Sequence, residues 1–327
     1  MKSSENGDDA MRLQKSLRKS LRKWVAVCAL LALEFGAAAG VYVLSARSVH
    51  AGATPAATFA SPEDAGKALL EAAKSGNDAA LLKILGPEAA ELISEGDAST
   101  DAANRKAFAT KYEEMHRFTK RIDGRLELIV GGENWPLPIP LVNKGGAWSF
   151  DIAVGRNEVL YRRIGNNEMA AIFACGELVE AQKQYFADVK AGQYASSIAG
   201  DPAKGEGLYA KEAATAAGGE DSIAPLLAGA DATKSASPTP FHGYYFRVLT
   251  AQGAAGDGGT MSYVVDDKLT GGFAIVAYPA EYRSSGVKSF LVSGEGVVYE
   301  KDLGMDTAKV ASGMKAFDPD SSWNRVD

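Results

Sequence analysis

Residues 162–192 read "RRIGNNEMAAIFACGELVEAQKQYFADVKAG", and the fold of the latter half turns on whether this stretch is one helix. Met169, Ile172, Gly176, Val179 and Phe186 recur along one side at helical spacing, and Gly192 supplies a stop. The spacing predicts a long helix from about Asn167, with Asn167 as its cap and Glu168 in its first turn. Residues 193–240 are rich in Ala, Gly, Ser and Asp and predict short helical pieces at most. Four strand candidates follow: "YYFRVLT", "MSYVVDD", "GFAIVAYP" and "KSFLVSG…GVVYEKDLG", the last folded back at Ser293-Gly294-Glu295-Gly296. A long helix feeding an antiparallel sheet is an α+β unit, assigned to residues 159–327. The tail "MKAFDPDSSWNRVD" reads as loosely structured.

Working back from that helix, residues 61–158 read as another α+β domain. Ser61, Pro62 and the acids behind them make a helix start, Gly76 stops that helix, and Asp78 can cap the next. A third helix is predicted over 101–120, with Phe108, Tyr112, Met115 and Phe118 at helical spacing and His116 on its surface. Then the period changes. "RLELIVGG" and "AWSFDIAVG" alternate as strands, while prolines at 136, 138 and 140 keep "NWPLPIPLVNKGG" at an edge or rim. Helices packed on one face of an antiparallel sheet follow in each domain. The order of the first resembles the cone-shaped, nuclear-transport-factor-like fold, which implies a pocket inside its sheet.

Residues 1–51 stand apart. "RLQKSLRKSLRK" (12–23) carries six positive charges and no negative one, and an apolar run over 24–46 follows it. This is the pattern of a signal peptide cleaved after Ala51, or of an uncleaved N-terminal membrane anchor interrupted by Glu34. Either reading makes the body periplasmic or otherwise extracytoplasmic, with residues 52–60 as a linker. Without the leader the body holds 27 basic against 37 acidic side chains. Such an acidic surface argues against nucleic acid as a partner. Cys175 is the one cysteine outside the leader, so no intrachain disulfide is available to the body.

Several stretches together resemble the domain of unknown function 2950 family, a set of exported bacterial proteins. They are "LGPEAAELISEGD", "WPLPIPLV…WSFDIAVGRNEVLYRRIGNNE", "AQKQYF", "HGYYFRVLTAQG", "GGFAIVAYPAEYRSSGV" and "VYEKDLG". The resemblance implies a periplasmic location and no assigned activity. Where the family carries "DGLYWP", this chain has "GEGLYAKEAA", so no role passes to that acid and tryptophan. The latter half also loosely resembles the globular part of type IV pilin-like proteins.

Chemistry-bearing residues are few. His242 in "PFHGYYFRVLTAQG" is the candidate general base, with Asp302 to orient it and Arg247 beside it. Alternation through Tyr244, Phe246 and Val248 favours the plainer reading, a turn residue ahead of a strand. Arg162, Arg163, Asn166, Asn167 and Glu168 are candidates for an anion or sugar site at a helix N-terminus, or for capping and domain bridging. Trp135 and "PLPIP" make a candidate aromatic rim, or a lid on the first sheet. Calcium could use the oxygens of "DPDSS" or "GAAGDGG", but no His/Cys ligand spacing is present, and no metal or other cofactor is expected. The sequence therefore predicts a non-enzymatic binding or assembly module of the cell envelope, its partner an envelope protein or a small ligand. Contact with the inner membrane would run only through an uncleaved leader. The alternatives are a periplasmic hydrolase using His242 or a cleft carboxylate, and a small-ligand carrier with a pocket in the first domain.

Overall fold

In a computed structural model, residues 56–94, 98–189, 192–201, 207–209, 223–234 and 237–326 are described. Residues 1–51, read above as a leader, lie outside them. The chain divides into two compact units, Met1–Tyr161 and Arg162–Asp327, both of α+β class.

The first unit opens with α1 (Pro62–Ser75). Ser61 caps it by accepting the Asp64 N–H at 3.1 Å, and Gly76 ends it at φ +64°. Helix α2 (Asp78–Leu85) is capped by Asn77, one residue before the expected Asp78, because the Asn77 carboxamide accepts the Ala79 N–H at 2.9 Å. After a short α3 (Ala90–Ile93), α4 runs Ala98–Glu114. The predicted helix 101–120 is therefore too long. Residues 116–120 instead form β1 (His116–Lys120), paired antiparallel with β2 (Leu126–Val130). The spacing of Phe118 suited a helix, but opposite Leu128 it fills the same core as a strand residue.

Strands β3 (Trp135–Pro136), β4 (Leu141–Lys144) and β5 (Ala147–Phe150) complete this sheet, in the order β1-β2-β4-β5 with β3 against β2. Leu128, Val130, Leu141 and Phe150 lie in one buried cluster with Leu69, Leu85 and Tyr112 of the helices. The "AWSFDIAVG" strand stops at Phe150, because Asp151 turns the chain into a helix. Its carboxylate accepts the Val154 N–H at 3.2 Å.

That helix, α5, spans Ile152–Gln184. It begins fifteen residues before the predicted start at Asn167, so Asn167 and Glu168 sit in its interior and cap nothing. The alternating signal of "AWSFDIAVG" hid its first turn. A π-helical turn (Tyr185–Val189) follows, with Gly192 at φ +83°.

After α6 (Ala224–Gly229), the main sheet of the second unit has the order β15-β13-β12-β11-β6. It comprises β6 (Tyr244–Leu249), β11 (Ala274–Pro279), β12 (Lys288–Ser293), β13 (Val298–Asp302) and β15 (Asn324–Arg325). Every residue of β11 is buried, the signature of a strand covered on both faces. Tyr244, Phe246 and Val248 share one face with Ile275, Ala277, Phe290 and Val292 by register, and cluster with Cys175, Leu178 and Val179 of α5. The other face meets α7 (Thr307–Gly313) and β14 (Ala316–Phe317).

Two expectations fail here. "MSYVVDD" is not a strand of the main sheet. It breaks into β8 (Met261–Ser262), which pairs with β7 (Ala251–Gln252), and β9 (Val264–Val265), which turns through Asp266-Asp267 into β10 (Lys268–Leu269). Both aspartates have positive φ, as a two-residue hairpin turn requires. The tail is also ordered. Phe317 and Trp323 are buried, β14 runs parallel to β7, and β15 extends the main sheet.

Candidate functional site

His242 lies in a tight turn. Phe241 and Tyr244 exchange both backbone hydrogen bonds at 2.9 Å, with His242 at φ +45° and Gly243 at φ +71° between them. Two successive positive φ values define a type I′ turn, and histidine is among the side chains that tolerate this region. Glycine is needed at 243 for a second reason. A Cβ there would lie 2.6 Å from Ser285 Cβ and 2.9 Å from Asn167 Nδ2. The His242 ring stands edge-on to Phe241, centroids 4.6 Å apart.

The crowding at Gly243 identifies the partner of this turn, the loop 280–287 between β11 and β12. The Ala280 N–H donates to the Gly243 carbonyl at 2.9 Å. Inside the loop the Ser285 hydroxyl accepts the Glu281 N–H at 3.0 Å, and the Arg283 N–H donates to the Gly286 carbonyl at 2.8 Å. From α5, Asn167 Nδ2 donates to the Ser285 carbonyl at 2.8 Å. Glu168 Oε1 accepts the N–H groups of Val287 at 2.9 Å and Lys288 at 3.0 Å. Tyr244 Oη donates to the Lys288 carbonyl at 2.8 Å. Burial holds that phenol far above its ordinary pKa, and the Glu168 carboxylate adds to the effect. It stays protonated and keeps donating.

The loop so braced carries an anomaly. Among the described residues, positive φ outside glycine occurs at Asn134, His242, Asp266, Asp267 and Arg283. Asn, Asp and His favour that region through short polar side chains, whereas arginine has no such compensation. Arg283 at φ +64° is held there by the surrounding hydrogen bonds. Its exposed guanidinium lies 5.4 Å from the centre of the Tyr282 ring, and Tyr282 is tethered by its hydroxyl to Asp302 at 3.1 Å. The result is a surface turn and loop joined through Gly243, Ala280 and Ser285, with Arg283 exposed and Tyr282 half-buried on the loop.

The residues singled out from sequence thus have separate fates. Asn167, Glu168 and the turn after His242 converge on the loop 280–287, in bracing roles. The groups proposed to work with His242 are engaged elsewhere. Arg247 donates to the carbonyls of Ala311 at 2.8 Å, Ser312 at 2.5 Å and Met314 at 3.3 Å, closing the end of α7. Asp302 Oδ1 accepts the Gly304 N–H at 2.8 Å. Arg162, Arg163 and Asn166 lie in the interior of α5, so the anion or sugar site at a helix N-terminus has no helix N-terminus there. Trp135 belongs to the first unit, where it pairs with Val130 and packs against that core.

Among the described residues no group of three His, Cys, Asp or Glu side chains could hold a metal ion. The oxygens considered for calcium have other donors. Gln252 Nε2 reaches the carbonyls of Asp257 at 2.7 Å and Gly259 at 2.8 Å, and Asp318 Oδ1 accepts the Ala255 N–H at 2.8 Å. Cys175 is fully buried, and desolvation pushes its thiol up to about 12, which leaves it without thiolate character. Among the described residues no helix is long and apolar enough to cross a membrane.

Sequence reasoning missed Tyr282, Arg283 and Ser285. Their available signal was "AEYRSSGV" itself, a polar run between two apolar strands, but left-handed geometry at an arginine has no sequence signature.

The chain matches a family model described as protein of unknown function (DUF2950) over residues 56–326, and it belongs to that family. No curated protein and no solved structure matches it.

Proposed function

We propose that this member of the family is an exported, non-catalytic binding or assembly module that meets an envelope protein through the turn 241–244 and the loop 281–287. One observation carries the reading. Side chains of α5, including the 6%-exposed Asn167, hold a surface loop in a shape that leaves Arg283 in a disfavoured backbone region. A loop fixed before binding loses little conformational entropy on binding, so more of each contact appears as affinity. Tyrosine and arginine are also the side chains that most often anchor protein interfaces. The export half rests on the basic and apolar leader of residues 1–51.

The test is site-specific photocross-linking in cells, with the photoreactive residue at position 283 or, as control, at exposed Lys83 of the first unit. The reading expects a discrete adduct with one envelope protein from position 283 alone. Adducts from both positions alike, or from neither, overturn it. So does turnover of ester, peptide or glycan substrates that disappears in His242→Ala, which would establish the hydrolase alternative. Cell fractionation checks location, and a cytoplasmic body would defeat the export half.

A further inference from the structure

A cleft on the first unit carries an inference independent of the loop described above. It holds about 340 Å3, toward the small end of the roughly 300–1,000 Å3 typical of small-molecule sites. Val142, Lys144 and Ser149 line it from the sheet, and Gly86, Pro87 and Glu88 from the segment after α2. By strand alternation, these sheet residues occupy the face turned away from the helical core that takes Leu141 and Phe150. Asp151 also lines the cleft, but its carboxylate is engaged by Arg125 Nε at 3.0 Å and by the Val154 N–H at 3.2 Å.

Two charges remain. Neither the Lys144 ammonium nor the Glu88 carboxylate forms an ion pair or side-chain hydrogen bond among the described residues, and the Ser149 hydroxyl is likewise free. Opposite charges line one small space without meeting. An ion of one sign entering there faces one attractive and one repulsive group, whereas a molecule carrying both signs can satisfy both. We propose that this cleft binds a small zwitterion, a free amino acid or dipeptide, with its carboxylate on Lys144 and Ser149 and its ammonium on Glu88. Val142 and Ala153 offer apolar surface to its side chain.

The test follows the backbone amides of Glu88, Lys144 and Ser149 by nuclear magnetic resonance during titration of the folded protein. Alanine and alanyl-alanine are the probes, with acetate and methylammonium as single-charge controls. The proposal expects saturable shifts with at least one zwitterion and binding about tenfold weaker or worse for each control. Lys144→Met and Glu88→Gln, both surface changes, should each abolish saturation while the remaining spectrum stays unchanged. Absence of saturation with both zwitterions, equal response to acetate, or binding that survives both substitutions overturns it. The cross-linking result at position 283 is unaffected by any of these outcomes.

Discussion

In the second unit the Asp231 carboxylate is 1% exposed and accepts four hydrogen bonds: the N–H groups of Ile198, Ala199 and Thr233, and the Thr233 hydroxyl. In the first unit Asp123 sits in solvent, where the Arg125 backbone N–H, then its guanidinium, holds its carboxyl below the usual range. The contrast extends beyond these two residues. Buried Gln182 in the second unit pairs with the Ala195 backbone through both amide atoms at 2.8 Å. Apart from Asp101, which is buried and accepts the Ser94 hydroxyl at 2.6 Å, the first unit places its charges mainly in partly exposed pairs such as Arg121–Glu127 and Lys111–Glu133. Exposed pairs contribute little to stability, because water and salt screen them. A buried acceptor of backbone N–H groups fixes the path of the chain, since its donors have no alternative partner. The second unit thus builds surface shape from its interior, and the first keeps most of its charge in pairs at or near its surface.

Five substitutions probe that difference, in descending order of effect. Asp231→Ala should lower the stability of the second unit by about 3 kcal/mol or more, because four donors lose a charged acceptor. Urea denaturation would register this as a lower midpoint, and an unchanged midpoint would remove the contrast with the first unit. Gly286→Ala places a methyl group 2.1 Å from Tyr244 Oη, and the resulting shift should cost about 2 kcal/mol. The same melts measure it, and a neutral outcome would mean the loop 280–287 is loosely held. Glu168→Gln keeps the shape but removes the charge that accepts two backbone N–H groups, a loss of about 1 kcal/mol. Hydrogen exchange should quicken at Val287 and Lys288 before it does elsewhere, and a uniform change would show that the brace is not local. Gly165→Ala or Gly176→Ala meets open space in the interior of α5 and should stabilise by roughly 0.5–1 kcal/mol. Thermal melts decide this last case, and destabilisation would mean that this helix face is not open.

Much of the fold could be read locally. Ser61, Pro62 and Gly76 mark the ends of α1 as their chemistry requires. The apolar run at 274–279 gave a fully buried strand, and the turn at 293–296 joins β12 to β13. The errors have one character. Phe118 satisfied both helical and strand periods, and Asp151 stood inside an alternating run although it was the cap of α5. A buried residue fits either period if the core lies on the right side, so local pattern cannot decide between them. The tail was misjudged because its order comes from pairing with distant strands, not from its own composition.

The candidate site was legible only in parts. His242, Asn167 and Glu168 stood out for their chemistry, but their meeting point did not, since the Asn167–Ser285 bond spans 118 residues. The sequence by itself determined α1, α2, the middle of α5 and six strands (β2, β5, β6, β11, β12 and β13), the acidic balance of residues 52–327 and their single cysteine, because these follow from neighbouring residues and from composition. Only the tertiary structure decided which polar groups turn inward and what they hold. That choice depends on hydrogen-bond partners that become neighbours when the sheet closes over α5, at distances no local pattern encodes.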